Sequence, residues 1–122
     1  PVKKGEIYLA PGDMHMLINP EKLEIELSDG PPENFVKPSA DPLFRSAAKV
    51  FGNRLIGVVF TGMGHDGSIG AGYINAAGGV VIAQDPSTAI ANSMPQTLVD
   101  LRLAKHIAPV SEIPEIIHSY LS

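Results

Sequence analysis

Two short runs of consecutive apolar residues constrain the fold of this chain most strongly. They are LIGVVF at 55–60 and VVIAQ at 80–84. A strand that is apolar at nearly every position is typical of a parallel sheet covered on both faces. A glycine-rich loop and a helix-like stretch at 67–77 lie between the two runs. The spacing therefore predicts a right-handed βαβ unit and an α/β fold.

The N-terminal part of the chain predicts shorter strands. EIYLA at 6–10 is interpreted as a strand that ends at the turn residues PGD. MHMLI at 14–18 and KLEIEL at 22–27 flank a turn around Asn19-Pro20-Glu21, and the second arm alternates apolar and charged residues. A period of two is typical of an antiparallel hairpin with one face in water.

The rest of the chain predicts helices and one further strand. Ser39 is a candidate N-cap and Gly52 a candidate stop for the helix between them. Pro42 lies in the first turn of that helix, where proline is tolerated. The remaining predicted elements are a short helix at 88–93, a helix at 94–104, a strand at 106–110 and an amphipathic helix at 111–121.

The composition excludes several classes of function. The 122 residues provide for one domain, and 44% of them are apolar, so the chain is expected to fold. With 9 basic and 13 acidic residues and no basic cluster, nucleic acid is not an expected partner. No apolar run approaches the ~20 residues that span a bilayer, so membrane insertion is not expected. The absence of cysteine excludes disulfides and is consistent with a cytoplasmic location.

The loop FTGMGHDGS first suggests a nucleotide site. Gly62, Gly64 and Gly67 spell G-x-G-x-x-G between a strand and a helix, as in a dinucleotide-binding fingerprint. Asp85 ends the next strand, near the position of the ribose-binding acid, although a turn before proline also explains it. Asp66 opposes this interpretation, because its carboxylate would occupy the helix N–H groups that a pyrophosphate needs and would repel the phosphate.

Asp66 also stands where α/β proteins place catalytic groups, just beyond a parallel strand. Its carboxylate could accept the Nδ1–H of a histidine and hold the imidazole in the tautomer that activates a nucleophile. The flanking glycines would leave backbone N–H groups exposed to bind an oxyanion. A helix cap in a tight glycine turn explains the same residues equally well.

Several segments resemble the CheB-type protein-glutamate methylesterases. TGMGHDG at 61–67 is similar to the T-G-M-G-x-D-G signature of that family, and IYLAPGDMHM at 7–16 to its A-P-G-x-x-H-M stretch. DGPPENFVKPSADPLFRSAA at 29–48 and VVIAQDPSTAIANSMPQ at 80–96 resemble two further family segments. The resemblance covers nearly the whole chain and is far more specific than a lone glycine motif.

The resemblance implies a doubly wound α/β fold, with a mostly parallel sheet, helices on both faces and one antiparallel hairpin. It implies hydrolysis of glutamyl γ-methyl esters on methyl-accepting chemotaxis receptors, with release of methanol, and deamidation of certain receptor glutamines. The family uses Ser, His and Asp and needs no cofactor or metal.

The resemblance also assigns individual residues. Asp66 corresponds to the triad Asp, and Met63 to the residue whose N–H contributes to the oxyanion hole. Lys37 stands where the family usually has Arg, which keeps the charge but loses the planar bidentate geometry. The residues expected to line the substrate pocket or shape its loops are Thr61, Gly62, Gly64, Gly67 and His15.

The family pattern further implies what the chain lacks. The nucleophilic serine, the catalytic histidine and a phosphorylatable receiver domain of the family all precede the segment that IYLAPGDMHM resembles. We therefore interpret residues 1–122 as the C-terminal portion of a methylesterase catalytic domain. Alone, it is expected to be inactive, and either to self-associate through an exposed sheet edge at 6–10 or to be marginally stable. The alternative is a non-catalytic methylesterase-like module that binds receptors or a response regulator.

Other polar residues receive structural interpretations. His15 is expected to make a structural hydrogen bond rather than to act in catalysis. His65, His106 and His118 are expected at the surface or periphery, and no spacing of His, Asp or Glu indicates a metal site. The hydroxyl residues expected in caps and turns near the same crevice are Ser68, Ser87, Thr88 and Ser93.

Overall fold

The computed structural model describes residues 1–33, 37–61, 66–89 and 91–121. Within these ranges the chain forms five strands and four α-helices. The strands are β1 (His15–Ile18), β2 (Ile25–Ser28), β3 (Ile56–Val59), β4 (Val80–Gln84) and β5 (His106–Ala108). The helices are α1 (Ala40–Phe51), α2 (Ser68–Ala76), α3 (Ser93–Asp100) and α4 (Ile113–Leu121).

The three strands of the C-terminal part form a parallel sheet in the order β3-β4-β5. Ile56 pairs with Val80 at the start of the first ladder, and Ile82 pairs with His106 at the start of the second. The central strand β4 is buried at all five positions, as its continuous apolar sequence predicts. The predicted βαβ unit is confirmed, with α2 connecting β3 to β4.

Helices cover both faces of the parallel sheet. On one face, side chains of α1, α2 and α3 pack against β3 and β4, with Ile74 and Leu98 fully buried. On the other face, Ile113 of α4 packs against Ile82 and Ala108. The sheet is therefore the middle layer of a three-layer arrangement, and the predicted fold class is confirmed.

The predicted hairpin forms a separate two-stranded sheet of β1 and β2. The Asn19 carboxamide oxygen accepts hydrogen bonds from the N–H groups of Glu21 and Lys22, which closes the predicted turn. The expectation of an apolar inner face on the second arm is only partly met, because Leu23 and Leu27 are about half exposed. The buried apolar side chains of the hairpin lie on β1 instead, and β1 packs against α1.

Two predicted elements are wrong. Residues 6–10 form no strand, and Ile7 and Leu9 are 92% and 89% exposed. A strand needs a partner for its backbone groups, and no described strand pairs with this segment. Among the described residues of 88–93 there is no α-helix before Ser93, because a short 3-10 turn at 86–88 ends in extended backbone at Ala89.

The boundaries of α1 were well predicted. Ser39 is its N-cap, with extended backbone and a hydroxyl that accepts from the Asp41 N–H at 3.4 Å. Gly52 follows the last helical residue with a φ of 56° and donates its N–H to the carbonyl of Ala48. Pro42 lies in the first turn, where its missing N–H costs no intrahelical bond.

Two glycines allow α1, α2 and β3 to approach closely. A Cβ on Gly70 of α2 would lie 2.5 Å from the Cβ of Phe44 on α1. A Cβ on Gly57 of β3 would lie 2.6 Å from the Cδ1 of Ile74 on α2. Because both sites lack a side chain, the N-termini of α1 and α2 lie side by side near the end of β3. No helix in the described part of the chain is long and apolar enough to cross a membrane.

Candidate active site

The candidate site lies beyond the carboxyl ends of the parallel strands. Phe60 and Thr61 follow β3, Asp85 follows β4, and Val110 comes two residues after β5. Asp66 lies further along the connection from β3 to α2, two residues before the helix begins. Open α/β sheets bind their ligands at this edge, so Thr61 and Asp66 lie where a site is expected.

The carboxylate of Asp66 accepts three hydrogen bonds from the N-terminus of α1. Oδ1 accepts from the Ser39 hydroxyl at 2.6 Å and from the Asp41 N–H at 3.2 Å. Oδ2 accepts from the Ala40 N–H at 2.7 Å. The negative charge therefore lies at the positive end of a helix dipole, held by donors on both oxygens. Sequence reasoning expected a cap on the helix that follows Asp66, whereas the structure shows a cap on the helix before it.

Asp41 makes the converse contact. Its side chain is 1% exposed, and its Oδ1 accepts the N–H of Gly70 in the first turn of α2 at 2.8 Å. Asp66 caps α1 while Asp41, on α1, caps α2. The N-terminus of α2 is thus occupied by a buried carboxylate, which opposes a phosphate at this position. The geometry gives no support to the dinucleotide interpretation.

His15 and Ser39 connect the hairpin to the junction between the N-termini of α1 and α2. The Nδ1 of His15 accepts the Ser39 N–H at 3.2 Å, and its Nε2 lies 2.8 Å from the carbonyl oxygen of Pro31. A carbonyl only accepts, so Nε2 carries the proton and the ring is the neutral Nε2–H tautomer. His15 is 3% exposed and Ser39 is 4% exposed. The expected structural hydrogen bond of His15 is therefore present, and it contacts the residue that holds Asp66.

Thr61 links two loops at the edge of the sheet. Its hydroxyl donates to the carbonyl of Ala91 at 2.8 Å and accepts the Ala91 N–H at 3.1 Å. Both bonds tie the end of β3 to the segment that precedes α3. Thr61 also borders an open cavity of about 450 Å³. The residues that line this cavity are Phe60, Thr61, Gln84, Thr88 and Val110.

The turn after β4 forms one wall of that cavity. The Asp85 carboxylate accepts from the N–H and the hydroxyl of Ser87, at 3.0 and 2.8 Å. The hydroxyl of Thr88 donates to the Asp85 carbonyl at 2.7 Å. The turn-forming interpretation of Asp85 is thus supported. The prediction that Ser87 and Thr88 lie in a turn is confirmed as well, and Thr88 lines the cavity.

The glycine loop is described only at its two ends. Gly62, Met63, Gly64 and His65 lie outside the described residues. Gly67 is the N-cap of α2, with a φ of 92° in the left-handed region that favours glycine. Ser68 is therefore the first helical residue and not the cap that sequence reasoning assigned to it.

The remaining histidines lie away from the junction. His106 is the first residue of β5, at the amino end of the sheet, and its Nε2 lies 2.5 Å from the Tyr120 hydroxyl. His118 is exposed on α4. Both positions agree with the peripheral roles expected of them. Among the described residues, no group of three or more His, Asp or Glu side chains could hold a metal ion.

Lys37 forms an ion pair rather than a recognisable site. Its Nζ lies 2.8 Å from the Oδ1 of Asp29. The hydrogen bond from Lys37, followed by its charge, holds the pKa of the Asp29 carboxyl below its usual range. Asp29 is well exposed, so this pair ties the loop before α1 together only weakly.

Sequence reasoning missed two members of the junction, Ser39 as a partner of Asp66 and Asp41 as the cap of α2. The signal was present in the spacing Ser39-x-Asp41 at the start of α1, since two capping residue types stand in one turn. What the spacing could not show is that both side chains bind across to another helix.

Comparison with known proteins identifies similar chains. The family model described as CheB methylesterase matches residues 1–117. A protein-glutamate methylesterase/protein-glutamine glutaminase of Rhodospirillum rubrum is 43% identical over 115 residues, which cover 93% of this chain and 30% of that protein. A protein of the same description from Caulobacter vibrioides is 43% identical over 122 residues, covering 98% of this chain and 35% of its own length.

A solved structure is similar in both fold and sequence. The crystal structure of the CheB methylesterase catalytic domain of Thermotoga maritima matches with a TM-score of 0.84 and 34% identity, over 88% of this chain and 58% of that one. The chain spans about a third of the length of the curated relatives it matches.

The fold and the site together define a class of protein. This class comprises α/β proteins whose candidate site contains an acidic residue fixed at the carboxyl edge of a parallel sheet. Within that class, the family model and the relatives are decisive. The chain belongs to the CheB methylesterase family. The resemblance drawn from the sequence is confirmed.

Proposed function

We propose that this chain is part of a protein-glutamate methylesterase that hydrolyses glutamyl methyl esters on chemotaxis receptors. The curated relatives are named as methylesterases that are also glutaminases, so deamidation of glutamine belongs to the same proposal. Residues 1–122 are proposed to form the C-terminal portion of the catalytic domain. A receiver domain in the same protein would control it, and a cytoplasmic location fits the absence of cysteine.

The observation that carries this proposal is the position of Asp66. Its carboxylate stands beyond β3 at the site edge of the sheet, and three donors of α1 hold it there. A carboxylate fixed in this way can hold an imidazole in one tautomer and stabilise the imidazolium that forms during reaction. In the proposed mechanism this is the role of Asp66, and the imidazole comes from polypeptide outside these residues.

The proposed reaction is acyl transfer through a serine. The imidazole removes the proton of the serine hydroxyl as the oxygen attacks the ester carbonyl, and then gives that proton to the leaving methoxide, which departs as methanol. Water attacks the acyl-enzyme by the same route, which releases glutamate and restores the serine. The N–H of Met63 is proposed to stabilise the oxyanion in both steps.

The cavity beside Thr61 supplies a suitable surface for the substrate side chain. It has a volume of about 450 Å³ and is bordered by Phe60 and Val110 as well as by the polar groups of Gln84 and Thr88. A methyl ester is neutral and partly apolar, so such a mixed lining suits it. Gly62, Gly64 and Gly67 are proposed to shape the loop between this cavity and Asp66.

Methanol release from methylated receptor tests the proposal. One arm uses residues 1–122. The other arm uses the whole protein encoded by the reading frame that contains them, that is, the product of the uninterrupted reading frame. We expect hydrolysis by the second protein and only background from the first, because triad members act as a unit. Turnover by residues 1–122 alone would contradict the proposed division of the triad, and an inactive second protein would contradict the proposed function.

A further inference from the structure

We infer that Ser39, held by His15, is a positioning residue for the carboxylate of Asp66. The inference rests on the proposed function, and it concerns residues to which the family comparison assigns no such part. Its basis is a continuous chain of hydrogen bonds from Pro31 through His15 and Ser39 to Asp66.

The direction of each bond is fixed by chemistry. Pro31 offers only a carbonyl, so the Nε2 of His15 must donate to it and Nδ1 must accept. Nδ1 accepts the backbone N–H of Ser39, which fixes the N-cap residue rather than its side chain. The Ser39 hydroxyl has one proton, and the carboxylate of Asp66 only accepts, so that proton points to Oδ1.

Burial makes this series of hydrogen bonds rigid. His15 and Ser39 are 3% and 4% exposed, so water hardly competes for their bonds. The Ser39–Asp66 bond is short at 2.6 Å, as expected for a hydroxyl that donates to an ionised carboxylate. The two N–H groups of Ala40 and Asp41 are further donors to the same carboxylate. The hydroxyl is the one donor of the three that a substitution can remove without changing the backbone.

The sharpest variant is Ser39→Gly. Glycine is also a good N-cap and is nearly as favourable there as serine, so α1 should keep its start while the hydroxyl donor is lost. The backbone N–H that binds His15 is retained. Ser39→Thr is the matched control, because threonine keeps the hydroxyl and suits the extended backbone of the N-cap, where φ is −117° and ψ is 147°.

The test measures kcat and KM for methanol release by the product of the uninterrupted reading frame. We expect Ser39→Gly to lower kcat on the order of ten- to a hundredfold with KM nearly unchanged. Ser39→Thr should retain most of the kcat of the parent. Circular dichroism checks that both variants fold. A folded Ser39→Gly protein with the kcat of the parent, or one changed in KM alone, would overturn the inference. An inactive parent would instead contradict the proposed function.

A second readout needs no activity. In the product of the uninterrupted reading frame, nitrogen NMR of the His15 ring should show the Nε2–H tautomer that its two hydrogen bonds require. An Nδ1–H tautomer or a cationic ring would remove the acceptor that holds Ser39 and would overturn the inference.

Discussion

Asp66 caps α1, the helix that carries Asp41, and Asp41 in turn caps α2, the helix that follows Asp66. Asp66, in the connection before α2, accepts the N–H groups at the start of α1. Asp41, in the first turn of α1, accepts the N–H of Gly70 at the start of α2. The exchange locks the two helix N-termini together at the site edge of the sheet. A residue proposed for catalysis is thus also part of the framework that holds it.

The Asp41 cap should contribute measurably to stability. We expect Asp41→Ala to lower the free energy of unfolding by about 1–2 kcal/mol, because the buried N–H of Gly70 at the start of α2 loses its acceptor. Urea denaturation followed by circular dichroism measures the change. Glu21→Ala, which removes an exposed carboxylate in the hairpin turn, is the control and should change stability by less than about 0.5 kcal/mol. Equal effects of the two variants on the free energy of unfolding would show that the Asp41 contact does not stabilise the fold.

The close approach of α1 and α2 predicts opposite effects at two glycines of one helix. Gly70→Ala should destabilise by about 1–3 kcal/mol, because its Cβ would lie 2.5 Å from the Cβ of Phe44. Gly72→Ala meets nothing within 4 Å and should stabilise by about 0.5–1 kcal/mol through helix propensity. Thermal unfolding of both variants checks the pair. If Gly70→Ala proved as stable as Gly72→Ala, the described packing of the helices would be wrong.

The ion pair of Asp29 and Lys37 predicts that the lowered pKa of Asp29 depends on the side chain of Lys37. The pKa of Asp29 is lowered from its ordinary value of 3.8 by the hydrogen bond and the charge of Lys37. A carboxyl whose pKa is lower in the folded state stabilises the fold above its unfolded pKa, and this contribution is lost as the pH falls through the folded value. Lys37→Met should return the Asp29 pKa towards 3.8 in a carbon NMR titration, and high salt should act in the same direction. An unchanged Asp29 titration in that variant would exclude the pair.

The exposed segment at 6–10 predicts self-association of residues 1–122. Ile7 and Leu9 are 92% and 89% exposed, so two large apolar side chains remain available for contact with another molecule. Sedimentation velocity should show larger species as the concentration rises, and Ile7→Ser with Leu9→Ser should suppress them. Leu121→Ser, at a site 71% exposed, is the control and should leave the association intact. A parent chain that stays monomeric at high concentration would contradict this expectation.

The sequence predicted elements well where local signals agreed with the packing. The continuous apolar run of β4 and the Ser39 and Gly52 boundaries of α1 were found at their predicted places. Prediction failed at 6–10, where a strand-like sequence has no partner among the described strands, because strand formation depends on a neighbour that the local sequence does not reveal. The partners of Asp66 also escaped prediction. They lie 25 to 27 positions away in the sequence, and only the packing of α1 beside α2 brings them together.

The most direct test of the account is the kcat of Asp66→Asn for methanol release by the product of the uninterrupted reading frame. Asparagine keeps the shape of the side chain but lacks the charge that is proposed to orient and stabilise the imidazole. We expect kcat to fall by about three to four orders of magnitude in a folded protein, while Asp41→Asn, which disturbs the same helix junction, loses far less. A folded Asp66→Asn protein with a kcat within about tenfold of the parent would contradict the role of Asp66.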